Sequence, residues 1–148
     1  MQARATAGEV RRIVLCTGKV HVDLVDSEWR KQNRAVAVVR VEQLYPFPAD
    51  ECRGVLDAYP QSAEVVWLQE EPENMGAWTF VRTQLDELLV GRGAGCAPLR
   101  YMGRPASSSP AEGSTTRYAL AQKRLVERAF DLAPIEGGRW TMGGQAAG

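Results

Sequence analysis

From Arg12 to Thr17 the chain reads RIVLCT, a short, almost unbroken apolar run, and at Gly18 the rhythm changes. Such a run, ended by a glycine, fits a strand buried on both faces of a parallel sheet. Val20, Leu24, Val25 and Trp29 then recur at helical spacing, with Asp23, Asp26, Arg30 and Lys31 left for the wet face. That spacing predicts a helix over 19–32. AVAVVRV at 35–41 is β-branched and nearly continuous, as an interior strand would be. Pro46 and Pro48 cannot donate to a sheet ladder, and Pro48 suits the first turn of a helix over 48–58 with Val55 and Leu56 inward. EVVWLQ at 64–69 is the third strand, ended by Pro72. Trp78, Val81, Leu85, Leu88 and Leu89 share one stripe of a helix over 77–89, and LRYMG at 99–103 is a fourth strand.

The residues 104–114, RPASSSPAEGS, read as a loop, after which Ser or Thr at 114–116 opens a last helix to about Ala129, with Tyr118, Ala121, Leu125 and Ala129 on one side. Four strands alternating with four helices imply a three-layer α/β/α domain with a mostly parallel sheet of four to five strands. The expected organisation is an N-terminal tail over 1–11, the α/β domain over 12–130, and a glycine-rich tail over 131–148 that is flexible or attached to a neighbour.

At 148 residues the chain suits one domain that needs no metal or disulfide to fold. Eighteen basic residues balance eighteen acidic ones, so bulk charge draws it to neither nucleic acid nor an anionic membrane. No apolar run approaches the roughly 20 residues of a membrane span, and the first residues lack the apolar core of a secretory signal. Cys16, Cys52 and Cys96 are odd in number and without CxxC spacing, which suggests reduced thiols rather than a zinc site. The expected compartment is cytoplasmic.

Candidate chemistry is sparse. Thr17-Gly18-Lys19 sits at a strand-to-helix junction where backbone N–H groups and a lysine can meet a phosphate, but it lacks the longer glycine loop of nucleotide hydrolases. His21 is the sole histidine, so neither a histidine metal site nor a Ser-His triad can be assembled from several. Glu70, Glu71 and Glu73 lie where a strand ends and a helix begins. Ligands bind at such ends in open α/β sheets, yet acidic groups near a helix N-terminus are also stabilising by about 0.3–1 kcal/mol each with no catalytic purpose. Organisation of the turn is the favoured reading, with Asn74 able to cap and Gly76 able to let backbones approach. Arg104, in Gly103-Arg104-Pro105-Ala106, offers a planar fork of donors. No nucleophile-base pair can be put together, and no catalytic or metal-ligating residue is assigned.

Four separated motifs agree in order and spacing: Leu15 to Val20; Val39 to Pro48; Gln69-Glu70-Glu71-Pro72 with Asn74, Gly76, Ala77 and Trp78; and Tyr101 with Gly103 to Ser107 and Ser109-Pro110-Ala111. Over residues 12–130 they closely resemble the carboxy-terminal domain of the 2-oxoglutarate dehydrogenase E1 component, a transketolase C-terminal-like domain of a thiamine-diphosphate enzyme. Thr17 stands where serine is usual in that family, His21 where a larger aromatic is common, and Ser108 where alanine is more frequent.

The resemblance implies a piece of an oxidoreductase that decarboxylates 2-oxoglutarate in the tricarboxylic acid cycle. Thiamine diphosphate and Mg²⁺ would be bound by upstream domains of the full-length enzyme, and the isolated chain would be inactive. It implies a supporting role, with contacts to the remaining E1 domains, to a second E1 protomer and to the E2 succinyltransferase. Glu70, Glu71, Asn74 and Trp78 would then lie at an interface, with Trp78 its anchor. It also implies a regulatory site for AMP or acetyl-CoA, for which Lys19, Arg40 and Arg104 are the expected phosphate contacts. The alternative is a free-standing nucleotide- or CoA-binding regulatory module.

Overall fold

A computed structural model describes residues 6–108 and 114–142. A short 3₁₀ turn, Ala7–Glu9, leads into strand β1, Arg12–Cys16. Helices α1, Val20–Val25, and α2, Glu28–Gln32, precede β2, Val36–Arg40; then follow α3, Ala49–Asp57, β3, Glu64–Pro72, α4, Trp78–Gly91, β4, Leu99–Arg104, and α5, Thr115–Phe130. A second 3₁₀ turn, Glu136–Gly138, delivers β5, Arg139–Thr141. The five strands form one sheet in the order β2-β1-β3-β4-β5, every neighbouring pair parallel.

All five residues of β1 are buried, because both faces of the sheet are covered. Ile13 and Leu15 point into one core with Val65, Trp67, Tyr101, Leu56 of α3 and the stripe of α4. Val14 and Cys16 point into the other, with Val66, Leu68, Met102, Val20 and Leu24 of α1, and Leu125, Ala129 and Phe130 of α5. Alternate side chains on a strand face opposite ways, so one buried run serves two layers of helices. This is the expected three-layer α/β/α architecture, and the α4 stripe is buried at all five expected positions. Among the described residues no helix is long and apolar enough to cross a membrane.

Two elements depart from the sequence reading. The helix expected over 19–32 is two helices, because Ser27 Oγ donates to the carbonyl of Leu24 at 2.8 Å and accepts from the N–H of Arg30 at 3.3 Å. One hydroxyl thus ends α1 and caps α2, an alternative to the helical ladder that serine offers readily. The segment from 131, expected to be flexible or attached to a neighbour, carries a fifth strand through Thr141, with β5 paired to β4 and Ile135 and Met142 buried.

A buried arginine explains the second departure. Arg12, fully buried, forms an ion pair with Glu64 at 2.8 Å and donates to the carbonyls of Arg128, Ala129 and Asp131 at 3.1, 3.1 and 2.6 Å. Its charge meets the orphan carbonyls at the negative end of α5 and fixes the chain as it turns back towards β5. Arg128 adds bonds to the carbonyls of Asp131 and Ala133 at 2.5 and 2.9 Å. The residues 143–148 of the expected tail, residues 1–5, and Ser109, Pro110 and Ala111 of the fourth motif lie outside the described residues.

Candidate functional site

Helices leave the sheet on opposite faces from β1 and β3, which are neighbours, so the strand order reverses between them and their carboxyl ends open a crevice. Crevices at such reversals are where open α/β sheets hold ligands. Gly18 makes the turn out of β1 at φ +77°, a backbone region that favours glycine, and Thr17 Oγ1 donates to the carbonyl of Val41 at 2.7 Å, tying the turn to the end of β2.

The crevice is occupied by the chain's own side chains. Gln122 of α5 donates through Nε2 to Glu70 Oε1 at 2.6 Å and to Asp23 Oδ2 at 2.8 Å. Tyr118 donates to Glu70 at 3.2 Å, and Lys19 Nζ pairs with Asp23 at 3.0 Å. The hydrogen bond to Asp23 raises the Lys19 pKa, while desolvation and then Glu70 raise that of the Tyr118 hydroxyl. Beside this network lies a hollow of about 400 Å³ between α1, α2 and α5, reached by Lys19, Trp29, Tyr118 and Lys123. Glu70 is therefore a tie between β3 and α5.

The turn from β3 into α4 is organised by Gln69, which is 2% exposed. Its Oε1 accepts from the indole N–H of Trp67 at 3.0 Å and from the backbone N–H of Trp78 at 2.9 Å. Its Nε2 donates to the carbonyls of Glu71, Pro72 and Met75 at 3.2, 2.9 and 2.9 Å. One amide thus caps α4 and closes the loop before it. Gly76 at φ +64° lets the loop pass Glu71, whose Cβ would lie 2.9 Å from a Cβ at position 76.

Asn74 exchanges two 2.9 Å hydrogen bonds with the backbone of Ser107, so the third motif holds the fourth. Tyr101 donates to the carbonyl of Arg104 at 2.8 Å, and Gly103 is required because a Cβ there would meet the Tyr101 hydroxyl at 2.6 Å and the Gln69 carbonyl at 2.7 Å. Trp78 was the expected anchor of an external contact. It is 8% exposed and packed within this domain, its ring 5.1 Å from that of Tyr101 and the Arg82 guanidinium 5.8 Å above it. Its place on the apolar stripe of α4 is the physical reason. Of the other expected interface residues, Glu71 and Asn74 are exposed and Glu70 is half-buried.

Lys19, Arg40 and Arg104 all lie on the carboxyl rim of the sheet, but in different places. Lys19 borders the α5 hollow, while Arg40 borders a second hollow of about 550 Å³ between β2, the following loop and α3. Arg104 ends β4, three strand spacings from β2, or roughly 14 Å. His21 is half-buried, its pKa lowered by desolvation and then by Arg40 and Arg30. Burial pushes the Cys16 thiol up to about 12, so it is held as the weakly nucleophilic neutral form.

Sequence reasoning named Gln69 only as part of the third motif and Tyr118 only on one side of the last helix, and gave no site role to Arg12 or Gln122. Only Gln69 carried a local signal, as a lone amide continuing the buried run of β3; the others act across 48 to 121 residues of sequence.

A family model described as 2-oxoglutarate dehydrogenase C-terminal matches residues 1–130. Among curated proteins the chain is 39% identical over 135 residues to the 2-oxoglutarate dehydrogenase E1 component of Exiguobacterium sp., covering 90% of this chain and 14% of that protein. To the proteins of the same name from Cupriavidus necator and Brucella anthropi it is 43% and 46% identical over 84% and 82% of its length, and 13% and 12% of theirs. The chain therefore spans about one-seventh of the length of the curated relatives it matches. Four motifs in family order, each with a structural task on one parallel sheet, agree with that match: the chain belongs to the 2-oxoglutarate dehydrogenase C-terminal family.

Proposed function

We propose that this chain is the supporting, non-catalytic C-terminal domain of a 2-oxoglutarate dehydrogenase E1 component. In this reading it braces the remaining E1 domains and a second E1 protomer, within a complex that includes the E2 succinyltransferase. The observation that carries it is the self-occupied crevice. Where a ligand would sit between β1 and β3, Glu70 and Asp23 are bridged by Gln122, and Cys16 is buried in its neutral form. Polar side chains already satisfied by one another suit a brace better than a reaction centre.

The parent enzymes use thiamine diphosphate and Mg²⁺. The donor set here does not fit that group: among the described residues no three His, Cys, Asp or Glu side chains are grouped to hold a metal ion. In this reading the residues that hold the cofactor and perform catalysis belong to other parts of the parent enzyme.

Lys19, Arg40 and Arg104 are proposed as phosphate contacts for AMP or acetyl-CoA, spread along the carboxyl rim rather than gathered in one hollow. That spread suits acetyl-CoA, which carries a diphosphate and a separate 3′-phosphate, better than AMP, whose one phosphate can meet only part of the set.

The test is complementation. Mixing this chain with a 2-oxoglutarate dehydrogenase E1 lacking its own C-terminal segment should restore decarboxylation of 2-oxoglutarate, while the chain alone shows none. Turnover by the chain alone, or failure of the folded chain to restore any activity, would overturn the reading. In the restored assembly, neutralising Lys19, Arg40 and Arg104 together should weaken AMP and acetyl-CoA binding at least tenfold; unchanged affinity removes the regulatory assignment.

A further inference from the structure

At the amino ends of the strands, opposite the rim that carries Lys19, Arg40 and Arg104, a guanidinium is buried with most of its donors unused. Arg92 directly follows α4, and only 4% of its side chain is exposed. Its Nη2 donates to the carbonyl of Tyr59 at 3.0 Å, and its Nη1 faces Cys96 Sγ at 3.9 Å. The buried Nε has no hydrogen-bond partner among the described residues, since Asp57 Oδ1 stands 3.8 Å away, beyond hydrogen-bond reach. Arg12, the other buried arginine of this kind, donates to Glu64 and to the carbonyls of Arg128, Ala129, Asp131 and Ala133. Buried donors are normally satisfied, so a guanidinium left short of acceptors and turned towards a sulfur points to an acceptor that forms there.

We propose that Cys96 is a site of reversible oxidation by hydroperoxides, and that Arg92 holds the negative charge on its sulfur and then on the oxygen it gains. The Sγ thiolate attacks a peroxide oxygen: an S–O bond forms, the O–O bond breaks, and the leaving oxygen takes a proton from water. Sulfur is thereby oxidised to a sulfenate and the peroxide reduced to water or an alcohol. Once the sulfenate is protonated, a small thiol attacks its sulfur, an S–S bond forms and water leaves; a second thiol attacking that disulfide returns Cys96 to its reduced form. A guanidinium suits both stages, because it keeps its charge, favours thiolate over thiol, and bonds an oxyanion more strongly than a neutral acceptor. The turn is built to hold the pair together. The N–H of Cys96 donates to the carbonyl of Gly93 at 3.4 Å, the N–H of Ala97 to the carbonyl of Gln61 at 3.3 Å, and Gln61 Nε2 to the carbonyl of Arg92 at 2.6 Å. The other two cysteines lack this setting. Cys16 and Cys52 are buried, which raises both thiols, whereas Cys96 is half-buried and can be reached. The inference is independent of the assembly reading.

Treating the folded 148-residue chain with hydrogen peroxide at roughly 1 mM, in the presence of dimedone to trap sulfenic acid, tests this by peptide mass. Cys96 should be trapped at least tenfold faster than Cys16 or Cys52, and glutathione in place of dimedone should give a mixed disulfide at Cys96 that dithiothreitol removes. In Arg92→Met, with far-UV dichroism unchanged, the Cys96 rate should fall at least tenfold. Asp57→Asn alters an exposed side chain, so it keeps the fold even where Arg92→Met does not. It removes the carboxylate that competes for the guanidinium, and its rate should rise at least twofold. Trapping spread evenly over the three cysteines, none at Cys96, or a Cys96 rate unchanged in both variants overturns the proposal.

Discussion

Replacing Gln69 by methionine isolates the work of a single amide. Methionine keeps most of the side-chain volume and removes every hydrogen bond, so a cavity contributes little and the loss is polar. Two N–H groups lose their acceptor: the indole of Trp67, which is fully buried, and the backbone N–H of Trp78, in a residue 8% exposed. Each buried, unsatisfied donor costs about 1–3 kcal/mol, which puts the loss near 2–6 kcal/mol before the carbonyls of Pro72 and Met75 are counted. A domain of this size has about 5–15 kcal/mol of stability in total, so the change removes a large share of it. With a urea slope of about 2 kcal/mol per molar, the unfolding midpoint should fall by about 1–3 M. Urea titration followed by tryptophan fluorescence reads this directly, because Trp67 and Trp78 flank the site. A midpoint within about 0.3 M of the parent, on the same slope, would mean that the turn finds other partners and that Gln69 is not its organiser.

Arg12→Met should cost about 3–5 kcal/mol, because it strands Glu64 and the carbonyls at the end of α5, and amide exchange should rise first in residues 128–142. Gly103→Ala should lose about 1–3 kcal/mol in the same urea assay, since its Cβ meets a backbone carbonyl at 2.7 Å, whereas Gly91→Ala, with nothing within 4 Å, should be neutral or slightly stabilising. Stability should also decline in alkali. Burial raises the folded Cys16 thiol from 9.0 to about 12, so the unfolded chain releases that proton first; the contribution is whole below pH 9.0 and is lost as pH climbs towards 12. Urea midpoints between pH 8 and pH 11 should fall less steeply in Cys16→Val, and an equal slope in both proteins would refute the assignment.

How far the sequence reaches is set by the range of the interaction that decides each feature. Strands β1 to β4 and helices α3 to α5 are legible because each is written in a local rhythm: continuous apolar runs where both sheet faces are covered, and a 3.6-residue stripe where one helix face is. The division of 19–32 is also local, but its cause is faint. Val20, Leu24, Val25 and Trp29 keep helical spacing straight across Ser27, and one hydroxyl with two backbone partners outweighs that rhythm. The C-terminal segment is illegible for the opposite reason. Its glycines read as breakers, while what orders it is the Arg12 guanidinium more than a hundred residues away.

The candidate site divides along the same line. The motifs mark the right turns, and Thr17-Gly18, Gly76, Asn74 and Gly103 each do something a short sequence window can suggest. What the window cannot give is which of those turns face outward. Trp78 carries the large aromatic area expected of a contact residue, yet its position on the α4 stripe commits it to the core. Tyr45 sits two residues after Gln43, directly ahead of Pro46, with no helical or strand rhythm to commit it anywhere, and it is left 83% exposed. An aromatic side chain placed in a motif but excluded from its own core has its apolar area still to bury. Such side chains stand where the rhythm stops, as at the loop after β2, and not where it is strongest.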